Sequence, residues 1–127
     1  MVEALFDTNI LIDYLRGSKG SRGLIEKLKT GEISGYVSVL TVAELVAGRD
    51  AEQPDKRDRM WDLLDFFTRI SVDEEIAKAS GEMRRLSGIS LTDAVIAATA
   101  ASLRCKLLTQ DIRGFSGVAG VDAEKPY

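Results

Sequence analysis

Short apolar runs and longer stretches of helical periodicity alternate along this chain of 127 residues. A few consecutive apolar residues favour a buried strand, whereas apolar residues spaced three and four apart favour a helix with one buried face. The first pattern predicts strands at residues 2–6, 33–39, 69–72, 105–109 and near 118–122. The second predicts helices at residues 9–16, 21–29, 41–47 and 90–103.

Two further helices are predicted in the middle of the chain, where the apolar positions are sparser. Residues 51–69 open as a polar loop and continue as an amphipathic helix that buries Met60, Leu63, Leu64 and Phe67. Asp73 can cap the next helix, whose apolar positions are Ile76, Ala79, Met83 and Leu86. Strands and helices that alternate in this way indicate an α/β fold with a mainly parallel sheet, covered on both faces.

Four acidic residues occupy related positions in this pattern. Asp7 directly follows the first strand and Glu44 lies in a helix after the second. Asp93 opens the most apolar helix, and Asp111 follows the strand that contains Leu107 and Leu108. Because ligands of open α/β sheets bind beyond the carboxyl ends of the strands, the four carboxylates are expected to converge there. Such a cluster would repel itself strongly without a cation.

Each acid also has an ordinary structural interpretation. Thr41 with Glu44, and Ser90 with Asp93, have the spacing of helix capping boxes. Asp7 could cap the first helix, and Asp111 could stabilise a turn. These roles explain each acid separately, but they leave unexplained why all four follow strands. Capping and metal binding are also compatible in one residue.

Three polar residues are candidates for supporting roles beside the acids. Thr8 and Asn9 lie within reach of a site built on Asp7, and Asn9 could orient that carboxylate or a water. Thr92 could donate a hydrogen bond to the same cluster, as could Thr109.

Composition narrows the choice of metal and of compartment. The chain contains no histidine and one cysteine, so a structural zinc site is not expected. Carboxylate oxygens instead select magnesium, manganese or calcium. The net charge of −3 differs from the basic balance that is typical of nucleic-acid-binding proteins. No signal peptide or membrane span is expected, and a single cysteine suits a reducing cytoplasm.

The strings LFDTNILID, SVLTVAELVAG, ISLTDAVIAATA and LLTQDIRGF, in this order, resemble the PIN domain. More narrowly, they are similar to VapC-type toxins of toxin–antitoxin pairs. The resemblance covers essentially the whole chain, which we expect to form one domain over residues 1–127. It implies a three-layer α/β/α sandwich with a parallel sheet.

The resemblance also implies endoribonuclease activity that depends on Mg²⁺ or Mn²⁺. It assigns the acidic roles to Asp7, Glu44, Asp93 and Asp111, with Thr8, Asn9 and Thr92 in support. Many relatives carry asparagine where this chain has Asp111 after Gln110. The implied partners are an RNA substrate, a cognate VapB-like antitoxin and a second copy of the chain in a homodimer.

Two other functions fit the acidic residues less well. A phosphatase of the haloacid dehalogenase type would use Asp7 as nucleophile, but it requires an acid where this chain has Asn9. A non-catalytic α/β binding module would not require all four acids.

Overall fold

The computed structural model describes residues 2–127, which form one five-stranded sheet with six α-helices. The strands are β1 (Val2–Phe6), β2 (Ile33–Ser38), β3 (Thr68–Ile70), β4 (Lys106–Leu108) and β5 (Ala123–Glu124). The α-helices are α1 (Thr8–Leu15), α2 (Lys19–Lys29), α3 (Val39–Ala47), α4 (Pro54–Leu64), α5 (Glu74–Ser87) and α6 (Leu91–Leu103). Short 3-10 helices cover Arg49–Glu52 and Ile112–Phe115.

All strand pairs in this sheet are parallel, as predicted, and the strand order is β3-β2-β1-β4-β5. The chain therefore builds outward from β1 in one direction and then returns to build β4 and β5 on the other side. This reversal makes the carboxyl ends of β1 and β4 the switch point of the sheet, where ligands of open α/β folds bind. Asp7 and Thr109 are the residues that follow those two strands.

Successive residues of the central strands contribute to two separate cores. Phe6 and Leu108 pack with apolar residues of α1 to α4, whereas Leu5 and Leu107 pack with α6 on the opposite face. Side chains alternate between the faces of a strand, so a short apolar run supplies both cores. The architecture is the expected three-layer α/β/α sandwich.

The most apolar helix, α6, lies against one face of the sheet, and most of its residues from Ala94 to Ala100 are buried. Its sequence lacks a polar stripe because both α5 and the sheet cover it. The predicted core position Leu86 of α5 is wrong, since its side chain is 77% exposed near the end of that helix. No helix among residues 2–127 is both long enough and apolar enough to cross a membrane.

Several predicted boundaries differ from the structure, the last strand by the most. The last strand lies at Ala123–Glu124 rather than near residues 118–122, because Gly117 and Gly120 take positive φ angles that interrupt an extended backbone. The polar segment that was expected to be a loop forms a 3-10 helix, and α4 already begins at Pro54. The third helix begins at Val39, two residues before the predicted start at Thr41.

Candidate active site at the carboxyl edge of the sheet

Asp7 lies at the centre of the site, directly after the central strand β1. Its side chain is only 8% exposed. One carboxylate oxygen, Oδ1, accepts a hydrogen bond from the Thr8 backbone N–H at 2.8 Å, and Oδ2 accepts one from the Thr109 hydroxyl at 2.8 Å. Asp7 therefore caps α1, as its structural interpretation predicted, and presents a fixed carboxylate at the switch point as well.

Thr109 and Asn9 tie the loop after β4 to the start of α1. The buried Thr109 hydroxyl donates to Asp7 and accepts hydrogen bonds from the Asp111 backbone N–H at 3.0 Å and from Asn9 Nδ2 at 3.3 Å. Asn9 Nδ2 also lies 3.4 Å from Asp7 Oδ2, and Asn9 Oδ1 accepts from the Gln110 N–H at 3.3 Å. Asn9 therefore contacts both the Asp7 carboxylate and the loop after β4, and its supporting role stays a prediction.

Glu44 is connected to the same centre through two threonines. The Thr8 hydroxyl donates to Glu44 Oε1 at 2.7 Å, and the Thr8 and Thr41 hydroxyl oxygens are 2.9 Å apart. Because the single hydroxyl proton of Thr8 goes to Glu44, Thr41 must donate to Thr8. The side chain of Glu44 is exposed, so this buried threonine pair holds one end of an otherwise open carboxylate.

The capping-box interpretation of Glu44 fails in the structure. Ser38 is the N-cap of α3, and its hydroxyl accepts from the Leu40 N–H at 3.1 Å. Thr41 lies inside the helix, one turn before Glu44, where its hydroxyl faces the site instead of the helix end. Glu44 therefore has no capping role.

Asp93 and Asp111 approach each other around Gly114. A Cβ atom on Gly114 would lie 3.0 Å from Asp111 Oδ2 and 3.5 Å from Asp93 Oδ2. The Gly114 N–H donates to Asp111 Oδ1 at 3.3 Å, so Asp111 also stabilises its own turn. Ser90 caps α6 by accepting a hydrogen bond from the Asp93 N–H at 3.2 Å. This cap places Asp93 in the first turn of the helix, beside the sheet edge.

The acids interact electrostatically across the site. Burial raises the pKa of Asp7 above its ordinary value of 3.8, and hydrogen bonds from Thr109 and Thr8 oppose that rise. The negative charges of Asp93 and Glu44 raise the pKa of Asp7 further. Within residues 2–127, no three carboxylate or cysteine side chains are grouped closely enough, as they stand, to hold one metal ion.

Three further residues of the candidate site are the predicted Thr92 and the unpredicted Thr41 and Gly114. Thr92 is exposed and its hydroxyl lies 3.4 Å from that of Ser90, so the structure places it at the start of α6, without a hydrogen bond to the acids. Sequence reasoning missed Thr41 as a site residue, although its position three residues before Glu44 puts both on one helix face. It also missed Gly114, because a glycine in a glycine-rich tail carries no distinguishing signal.

Comparison with known proteins gives a consistent result. The family model of the PIN domain matches residues 4–121. Ribonuclease VapC19 of Mycobacterium tuberculosis is 33% identical over 132 residues, covering 97% of this chain and 98% of that protein. Ribonuclease VapC2 of Methanocaldococcus jannaschii is 27% identical over 110 residues, which is 74% of each protein.

Solved structures extend the likeness to three dimensions. A toxin–antitoxin complex from Klebsiella pneumoniae contains a chain with a TM-score of 0.81 and 32% identity, and the match covers 98% of both chains. FitAcB from Neisseria gonorrhoeae gives a TM-score of 0.78 at 26% identity over 97% of both chains. This chain therefore belongs to the PIN domain family, among its VapC-type members.

Proposed function

We propose that this chain is a metal-dependent endoribonuclease, the toxin of a toxin–antitoxin pair. The observation that carries the proposal is the buried Asp7 carboxylate at the switch point of the sheet, on which the charges of Glu44 and Asp93 act. Relatives that cover nearly the whole chain are named ribonucleases, which supports RNA as the substrate class.

The donor set suits Mg²⁺ or Mn²⁺. Asp7, Glu44, Asp93 and Asp111 offer only carboxylate oxygens, the hard ligands that these ions prefer. Burial, and in addition the negative charges of Asp93 and Glu44, disfavour the ionised form of Asp7, and a divalent cation would favour that form. Glu44 and Asp111 are exposed and Asp93 is half-buried, so their side chains have room to turn toward an ion fixed by Asp7.

The residues around Asp7 and Glu44 have different roles in the proposed reaction. When bound, the ion supplies positive charge that lowers the pKa of water and offsets the charge developing on the scissile phosphate. Thr109 and Asn9 hold the Asp7 carboxylate in one orientation, and Thr8 fixes one oxygen of Glu44. The second oxygen of Glu44 accepts the proton of the attacking water.

Water attack on phosphorus breaks the bond to the 3′ oxygen, which takes a proton from solvent and becomes a 3′-hydroxyl, while the phosphate stays on the 5′ oxygen as a 5′-phosphate. The alternative route through a cyclic phosphate commonly uses histidines as acid and base, and this chain contains none. The expected ends of the fragments therefore distinguish the two routes.

Three further features belong to the same proposal. A VapB-like antitoxin partner is supported by a similar chain in a Klebsiella pneumoniae toxin–antitoxin complex. A homodimer would cover Leu86 and Leu91, two exposed apolar side chains on either side of the turn between α5 and α6. We place the protein in the cytoplasm, where RNA substrates are available.

Cleavage of total cellular RNA by the purified, antitoxin-free protein tests this function. Asp93→Asn should abolish discrete cleavage, whereas Glu82→Gln, which neutralises an exposed acid on α5, should cleave like the unmodified protein. A chelator should stop the reaction, and Mg²⁺ or Mn²⁺ should restore it. Discrete fragments that persist in Asp93→Asn would refute the assigned site, and persistence in chelator would refute the metal requirement.

A further inference from the structure

A cavity of about 240 Å³ lies beside the acidic site, between α1, α3, the first 3-10 helix and α4. Its apolar wall is formed by Ile12, Leu15, Leu45 and Met60. Its polar rim consists of two acidic and four basic side chains, Glu44, Asp50, Arg16, Arg49, Lys56 and Arg59. A cavity with an apolar wall and a charged rim favours a ligand that has both an apolar and a charged part.

The cavity shares a wall with the acidic site. Glu44 lines it and also accepts the 2.7 Å hydrogen bond from Thr8, the residue after Asp7. A ligand strand bound at the acidic residues would therefore meet the cavity at Glu44. This continuity makes the cavity a neighbour of the reacting bond in the proposed function.

The basic rim is largely free to bind an anion. Lys56 is paired with Asp50 at 3.3 Å, but Arg16, Arg49 and Arg59 form no ion pair or side-chain hydrogen bond within residues 2–127. Three guanidinium groups at one opening attract phosphate, to which arginine can bind through two parallel hydrogen bonds. This local cluster of positive charge contrasts with the net charge of −3 of the whole chain.

The size of the cavity limits what it can hold. Sites for whole drug-sized ligands usually measure roughly 300–1,000 Å³. A volume of about 240 Å³ suits one nucleoside better than a longer segment. Single-stranded RNA can supply such a group, because an unstacked base can leave its neighbours and stack on apolar or guanidinium surfaces.

We propose that this cavity binds one nucleoside of the RNA substrate, next to the phosphodiester at the acidic site. The base lies on the apolar wall, and the phosphate on its far side contacts Arg16, Arg49 and Arg59. The inference rests on the ribonuclease function proposed above and adds a subsite for recognition. It also explains how an acidic protein can retain a polyanion at a carboxylate cluster.

Binding of fluorescein-labelled oligouridine and oligoadenine to the full-length Asp93→Asn protein tests the rim. Adding Arg16→Gln or Arg59→Gln should weaken binding several-fold, and each change should reduce the slope of log affinity against log salt by about 0.7. The control is Arg104→Gln, which removes the same charge near the start of β4, at the opposite edge of the sheet, and should leave both quantities unchanged.

Abasic substitution tests the apolar wall without altering the protein. One abasic position along the oligonucleotide should weaken binding by at least about 5-fold, the lower end of the contribution of a base stacked on an aromatic side chain, since this wall is aliphatic. That position should be the same in the Arg104→Gln protein.

The outcomes separate this inference from the function on which it rests. If the unmodified protein cleaves RNA and Asp93→Asn does not, yet the arginine and abasic changes have no effect, the nucleoside subsite is refuted and the nuclease stands. Such a result would assign the cavity to a protein segment instead. If the unmodified protein neither cleaves nor binds RNA, both proposals fail.

Discussion

The Thr109 hydroxyl is the most informative group to remove, because it links two of the four acids. It is buried, donates to Asp7 Oδ2 at 2.8 Å and accepts from the Asp111 N–H at 3.0 Å. Thr109→Val replaces the hydroxyl by a methyl group of similar size, so the packing around residue 109 and the end of the strand are preserved. The change therefore isolates the hydrogen bonds from packing.

The expected loss of stability follows from those contacts. A hydrogen bond to a charged group contributes about 1.5–3 kcal/mol, and leaving a buried acceptor such as the Asp7 carboxylate without its donor costs about 1–3 kcal/mol. Asp111 is exposed, so water can replace much of the second contact. We expect Thr109→Val to lower the free energy of unfolding by about 2–4 kcal/mol at neutral pH.

The loss should depend on pH because the hydrogen bond favours the ionised form of Asp7. The Thr109 bond lowers the pKa of Asp7, although burial keeps that pKa above 3.8 overall. Stability from the bond is present when Asp7 is ionised and is lost as the pH falls through its folded-state pKa. The difference between Thr109→Val and the unmodified protein should therefore shrink toward acid pH.

Urea unfolding of the metal-free protein, followed by circular dichroism at about pH 7 and about pH 4, measures both effects. Thr109→Ser is the matched control, since it keeps the hydroxyl and loses one methyl group, at a cost of about 1 kcal/mol. The reasoning is refuted if Thr109→Val costs no more than Thr109→Ser at neutral pH. It is also refuted if the loss grows as the pH falls.

Three other changes give equally definite expectations. Asp7→Asn should stabilise the metal-free protein at neutral pH, since burial disfavours the ionised carboxylate; urea unfolding should show the gain disappearing below pH 3.8, and a loss at neutral pH would contradict it. Thr8→Val should reduce kcat for RNA cleavage about tenfold by releasing Glu44, whereas Thr8→Ser should keep it; equal rates would rule out this orienting role. Gly114→Ala should reduce cleavage about 3- to 10-fold with little change in stability, because its Cβ displaces the Asp111 carboxylate; an unchanged rate would show that this placement does not matter.

Local patterns predicted most of the fold. The apolar run around Leu5 forms a buried strand, and the apolar residues after Asp93 form a buried helix, as predicted. These predictions succeed because the spacing of apolar residues directly indicates which side chains are buried. Leu86 was placed wrongly because helical spacing alone does not reveal where a neighbouring element ends. The last strand was placed too early because its position depends on pairing with β4, and its own sequence is weakly apolar.

The sequence alone predicts that acids follow the strands, that carboxylate oxygens are the available metal ligands and that Asp7 and Asn9 begin a helix. How these groups are connected depends on the tertiary structure. Thr109 reaches Asp7 across 102 positions, and Thr41 reaches Thr8 across 33, because parallel pairing aligns strand ends that are distant in the chain. The same packing places Gly114 against two carboxylates and brings three arginines to one cavity. The periodicity of the sequence indicates which face of a helix or strand is buried. It does not indicate which other elements pack against that face, and the contacts of Thr109, Thr41 and Gly114 depend on that packing.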